Sequence, residues 1–149
     1  MWLVAWFAGW RRDGADGATS GALSCARAPA ALVSADLGQK IGVPQENTDQ
    51  AGAATFVSCM YNEGAQGQVI IVLRDHQDAT TFEKWVKIYK SQGLPVKVLR
   101  NFEDEAFSFV LPALDTASVL ARKGDLVVEV DAEASLNQVK TLETHIFNG

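Results

Sequence analysis

The chain has 149 residues, of which 48% are hydrophobic and 21% are charged, and its net charge is −5. This length and composition are typical of one ordinary globular domain whose core is large enough to be stable without a metal. The negative charge and the scattered lysines and arginines disfavour nucleic-acid binding, because such a surface repels a phosphate backbone.

The first 24 residues differ in character from the rest of the chain. Residues 1–10, "MWLVAWFAGW", are an apolar run too short to span a bilayer, and Arg11, Arg12 and a glycine-rich stretch follow them. An export signal has its positive charge before the apolar stretch, so the order here is inverted. We predict that residues 1–24 are disordered or a vestigial export segment. Three interpretations stay open: a damaged or truncated signal, a wrongly assigned start codon, and a tether on the membrane surface.

The next part of the chain predicts a short helix and a β-hairpin. Residues 29–44 have Pro29 in the first turn, an apolar stripe, and glycine and proline near the end, which is typical of a helix. Residues 45–54 are polar and contain glycine, so they are predicted to be a loop. Two apolar segments joined by a glycine-bearing turn, 54–62 and 68–75, predict the hairpin.

Residues 76–93 form the clearest predicted helix. Thr80 with Glu83 is a possible capping box, Asp78 is an alternative cap, and Gly93 stands where a helix commonly ends. Its apolar face carries residues spaced for one side of a helix, with the lysines facing away: Phe82, Trp85, Val86 and Tyr89. We interpret this stripe as core packing and not as a cofactor site.

The last third of the chain predicts several strands and a closing helix. The strand segments are 94–100, 105–111, 115–122 and 126–131. Residues 123–125 form a tight turn containing Gly124, and the helix covers 132–147 with Asp131 as its candidate cap. Strands joined by hairpins, with helices between the runs, predict an α+β domain over residues 25–149. We expect an antiparallel sheet with the helices packed mainly on one face.

The two cysteines, Cys25 and Cys59, are candidates for a disulfide. Their even number in a small chain favours a bridge. Two buried free thiols and one functional thiol are the alternatives. Structural metal sites need more ligands at close spacing, and no histidine stands near either cysteine as a catalytic base. The segment "ALSC" at 22–25 also echoes a lipoprotein cleavage site, so lipidation of Cys25 stays open.

Two polar clusters are the other candidates for chemistry. Asp75, His76 and Asp78 lie at a strand-to-helix junction and are weak candidates for a metal site, although helix capping explains them as well. The segment 101–107 carries three carboxylates and is predicted to be a turn between strands. It lacks the alternating pattern and the central glycine of a calcium-binding loop. No pattern for phosphate binding, a serine nucleophile or a zinc protease occurs. We therefore predict no catalytic residues and no cofactor.

The order of several short motifs resembles a family of small exported bacterial lipoproteins of unknown function. The motifs are "LVSADLGQKIGVP" after Cys25, then "SCMYN", "FEDEAF", "LARKGDLVVEV" and a closing helix, so the resemblance covers residues 25–149. It implies export, a disulfide and an α+β sheet with helices, and it implies no enzymatic activity. The N-terminus departs from the family, because a regular signal peptide is missing.

Three functions follow as hypotheses. The first is a non-catalytic binding or accessory domain of the cell envelope, periplasmic or extracellular, that holds an unknown protein or small-molecule ligand on its sheet face or strand-edge loops. The second is a metal-dependent or enzymatic module that uses Asp75, His76 and Asp78. The third is a cytoplasmic α+β interaction protein with buried thiols.

Overall fold

The computed structural model describes residues 23–111 and 115–149, so most of the predicted export segment lies outside the described residues. The elements in chain order are a short 3-10 helix (Cys25–Arg27), α1 (Ala30–Leu37), β1 (Gln45–Ala51), β2 (Ala54–Tyr61), β3 (Val69–Arg74), α2 (Ala79–Ser91), β4 (Lys97–Val98), β5 (Glu105–Leu111), β6 (Thr116–Lys123), β7 (Leu126–Ala132) and α3 (Leu136–Asn148). In the described part of the chain, no helix is both long and apolar enough to cross a membrane.

The strands form one antiparallel sheet in the order β1-β2-β3-β7-β6-β5-β4. The predicted hairpin of β2 and β3 is present, and so is the turn between β6 and β7, where Gly124 has a φ of 63°. Strand β7 inserts beside β3, which brings the two halves of the chain together. The predicted α+β fold with an antiparallel sheet is confirmed.

The helices lie on both faces of this sheet. Helices α1 and α3 pack on one face, which we call the α3 face, and α2 packs on the other, the α2 face. Strand β7 shows the alternation, because Val128 and Val130 belong to the core under α3 while Val127 belongs to the core under α2. Two of the three helices therefore share one face. Helix α2 covers the other face where Phe107 and Phe109 of β5 need burial.

The N-terminal part is attached to the sheet by a disulfide and by hydrogen bonds. Cys25 and Cys59 form a disulfide with Cα atoms 5.7 Å apart, which confirms the predicted bridge and excludes the free-thiol alternatives. The sulfur of Cys25 is used by the bridge, so it carries no lipid in this form. The buried hydroxyl of Tyr61 donates to the carbonyl oxygen of Ala28. Burial, and then the negative charge of Glu46, raises the pKa of Tyr61 to about 12.

Four predicted boundaries are wrong. The predicted loop 45–54 is mostly strand β1, which pairs with β2 along its whole length. Every residue of β1 is exposed, so its polar side chains show no buried alternation. The predicted strand 94–100 shortens to β4, and α1 ends at Leu37 because Gly38 has a φ of 64°. Helix α3 begins after Ser135, whose hydroxyl forms a capping box with Gln138, and not at Asp131.

Candidate functional site

Helix α2 packs on the sheet through the aromatic residues that the sequence placed on one face. Its first turn is capped by Asp78, whose carboxylate accepts a hydrogen bond of 2.8 Å from the backbone N–H of Thr81. The rings of Phe82 and Phe107 lie 5.6 Å apart, and the ring of Tyr89 lies 5.7 Å from that of Phe107. The interpretation of the stripe as core packing is confirmed.

A groove lies between α2 and the strands β4 and β5, and we call it the α2 groove. Its volume is about 560 Å³, within the range of small-molecule binding sites. Its apolar lining consists of Phe82, Val86, Val98, Leu99, Ala106 and Phe107. Strand β4 has only two residues and forms the outer edge of the sheet, so Val98 is 69% exposed. The short edge strand therefore leaves an apolar depression open to solvent.

Charged side chains surround the α2 groove, and they differ in how they are paired. The Nε atom of Arg122 lies 2.9 Å from a carboxylate oxygen of Glu105, and its Nη1 atom lies 3.6 Å from a carboxylate oxygen of Asp104. The remaining charged residues of the lining are Lys87, Lys90, Arg100 and Glu83. None of these four has an ion pair within 4 Å among the residues that the structure describes. With Arg122 included, the charged groups at the groove are four cations and three carboxylates, so they sum to one positive charge.

A buried arginine lies under the other side of α2. The Nη2 atom of Arg74 is 3.2 Å from Oε1 of Glu129, and the hydroxyl of Tyr89 donates to the same oxygen at 2.7 Å. The guanidinium carbon of Arg74 is 4.3 Å from the ring centre of Trp85, a cation–π distance. Burial and then the charge of Glu129 raise the pKa of Tyr89. The Nε and Nη1 atoms of Arg74 are buried without a hydrogen-bonding partner among the described residues.

Asp131 joins this layer from the same face of β7. The pKa of Asp131 is raised to about 8. Burial is the largest cause, followed by the negative charge of Glu129 and by a hydrogen bond to Glu129. Burial therefore favours the protonated form of this carboxyl group, whose Oδ1 atom has no hydrogen-bonding partner among the described residues. Ser118 on the neighbouring strand is also within hydrogen-bonding reach of Asp131.

Glu143 is a second buried acid, on the α3 face. Its side chain is fully buried, and neither carboxyl oxygen has a hydrogen-bonding partner in the part of the chain that the structure describes. Burial, and then the negative charges of Glu129 and Asp131, raises the pKa of Glu143 well above its usual range. Burial therefore favours the neutral form of this group. Because its side chain has no contact with solvent, we assign it no part in binding.

The predicted cluster Asp75, His76 and Asp78 divides into two separate arrangements. The Nδ1 atom of His76 is 3.0 Å from Oδ1 of Asp75, and this hydrogen bond raises the pKa of His76. Asp78 is used by the cap of α2, and the backbone N–H of Thr81 lowers its pKa. Within residues 23–111 and 115–149, no group of three or more His, Cys, Asp or Glu side chains is arranged to hold a metal ion.

The carboxylates of 101–107 also take separate positions. Asp104 accepts a hydrogen bond of 2.8 Å from the backbone N–H of Gly124, and Glu105 binds Arg122 at 2.9 Å. Glu103 has a φ of 52° in the loop before β5. The predicted turn between strands is therefore present, and its acids fasten it to the β6–β7 turn.

The α2 groove was not among the sites that the sequence indicates. The lysines of α2 were expected to face away from the core, and they are exposed, but Lys87 and Lys90 also border the groove. Arg100 reaches the groove from a loop after β4. The buried acids could have been found from the sequence. Glu129 and Asp131 are two residues apart in an otherwise apolar strand, so they lie on the same face as Val127. No protein-family model, curated protein or solved structure matches this chain.

Proposed function

We propose that this chain is a non-catalytic binding domain of the cell envelope and that the α2 groove holds its ligand. The observation that carries the proposal is the groove itself. It joins an apolar lining of six residues to unpaired charges at its border, which is the composition of small-molecule sites. Among the described residues, Arg122 binds two of the carboxylates at the groove, Asp104 and Glu105, and no nucleophile with an adjacent base lies in the lining.

The disulfide supports the export part of the proposal. A bridge between Cys25 and Cys59 is compatible with an oxidising location outside the cytoplasm. To test this, cells that naturally make the protein are quenched in acid and treated with a maleimide that adds mass to free thiols. We expect no addition before reduction and two additions after it. Two additions without reduction would place the chain in a reducing compartment.

The groove is tested with a library of small benzene- and indole-based fragments and heteronuclear NMR. We expect fragments that bind to shift resonances of Val86, Val98 and Leu99 and to leave the rest of the protein unchanged. A Val86→Phe variant fills the groove and should remove these shifts. Ile88→Phe is the matched control, because Ile88 lies on the same helix outside the groove lining and is 42% exposed. Fragment shifts that persist in Val86→Phe would refute the groove as the ligand site.

A further inference from the structure

We infer that the ligand of the α2 groove is a small amphiphilic anion with one alkyl chain, chemically a fatty-acid-like carboxylate. The inference rests on the proposed function and adds the ligand's chemical class. It depends on two features of the groove: its apolar lining, which runs from buried to exposed residues, and the sign of the net charge at its border.

The apolar part of the groove suits an alkyl chain. Phe82 and Phe107 are almost fully buried at its inner end, with 3% and 1% of their surface exposed. Val98, which is largely exposed, forms the outer end on the edge strand. An apolar surface that runs from the core to solvent is covered favourably by a chain whose methylenes leave water, at about 0.8 kcal/mol for each methylene buried.

The charged border of the groove suits an anionic head. Lys87 and Lys90 are three residues apart on α2 and therefore lie on one side of the helix. Arg100 lies on the opposite wall, in the loop that follows β4. None of the three has an ion pair among the described residues, whereas Arg122 already binds both nearby acids, Asp104 and Glu105.

The sign of this charge is opposite to that of the whole chain. The protein carries a net charge of −5, yet the four cations and three carboxylates at the groove, Arg122 included, sum to one positive charge. A second depression, on β1 and β2, shows the contrast. It has a volume of about 480 Å³, and its charged lining residue is Asp49, with no lysine or arginine. An anion is therefore attracted to the α2 groove and repelled from the second depression.

The first test compares three probes that share a ten-carbon chain: decanoate, 1-decanol and decyltrimethylammonium. Each is titrated into the full chain at low salt and followed by heteronuclear NMR. We expect decanoate to bind most tightly, to shift Val86, Val98 and Leu99, and to lose affinity as salt is added, because salt screens exposed charges. The neutral alcohol should show no salt dependence.

The outcomes separate this inference from the proposed function. Equal affinities for the three probes, all in the groove, would refute the anionic head and leave the groove as a binding site. Binding of decanoate outside the groove, or of none of the probes, would refute the fatty-acid-like class. The fragment experiment with Val86→Phe tests whether the groove binds ligands at all, whatever their chemical class.

The second test removes single cations. Lys87→Gln and Lys90→Gln are each expected to weaken decanoate binding about two- to fivefold, which is the effect of an exposed ion pair. Lys84→Gln is the matched control, because it makes the same change in net charge on the same helix outside the groove lining. The control should bind decanoate as the unmodified protein does. Equal weakening in all three variants would show attraction by net charge alone and would overturn the assigned role of Lys87 and Lys90.

Discussion

The guanidinium of Arg74 lies 3.2 Å from the carboxylate of Glu129 between the sheet and helix α2, with side-chain exposures of only 8% and 10%. A buried ion pair of this kind costs about as much in desolvation as it gains in attraction. Its importance therefore appears when one partner is removed, because the other charge is then left buried.

We expect Arg74→Met to lower the free energy of unfolding by about 3–5 kcal/mol, since Glu129 keeps its charge and loses its cation. The double variant Arg74→Met with Glu129→Met should recover much of this loss, because both charges are gone. Urea unfolding of both single variants and the double variant gives the coupling energy. Additive losses in the double variant would contradict a direct interaction.

The disulfide should stabilise the fold mainly through the unfolded chain. Cys25 and Cys59 are separated by 34 positions, and closing a loop of that length is worth about 3–4 kcal/mol. We expect Cys25→Ala with Cys59→Ala to lower the free energy of unfolding by about that amount in urea. Dithiothreitol should destabilise the unmodified protein similarly and leave the double variant unchanged. A double variant as stable as the oxidised protein would show that the bridge adds nothing.

Stability should fall as pH rises from about 4 to about 8. The pKa of Asp131 is near 3.9 in the unfolded chain and about 8 in the fold, so in this window the folded state holds a proton that the unfolded state releases. Its contribution is complete below pH 4 and is lost progressively towards pH 8, at about 1 kcal/mol per pH unit. Asp131→Asn should flatten this part of the profile measured by urea unfolding. An unchanged slope would assign the dependence to other groups, Glu143 first among them.

Replacing Glu143 by methionine should stabilise the protein. The carboxyl group is fully buried without a hydrogen-bonding partner among the described residues, and such a group costs about 1–3 kcal/mol. Methionine has a similar length and no polar atom, so Glu143→Met should raise the free energy of unfolding by about that amount. Glu143→Gln keeps a polar group and should gain less. Destabilisation by the methionine variant would mean that the carboxyl group makes a favourable interaction in the fold.

Much of the architecture could be predicted because its signals are local. Helix α2 shows apolar residues at helical spacing, and the hairpins of β2–β3 and β6–β7 show apolar runs joined by glycine-bearing turns. Strand β1 has no such signal. Its side chains are all exposed, and its hydrogen bonds to β2 involve only the backbone. Pairing with β2, and not the composition of residues 45–51, makes this segment a strand.

The α+β class, the disulfide candidate and the aromatic face of α2 could be predicted, because periodicity, cysteine number and turn residues are properties of short stretches of the chain. Tertiary structure alone decided the position of β7 beside β3, the placement of α2 on the second face and the α2 groove. Lys90 and Arg100 border one depression only because β4 is short and lies at the sheet edge next to α2. Such neighbours depend on which elements pack together, and that is settled by burial summed over the whole chain.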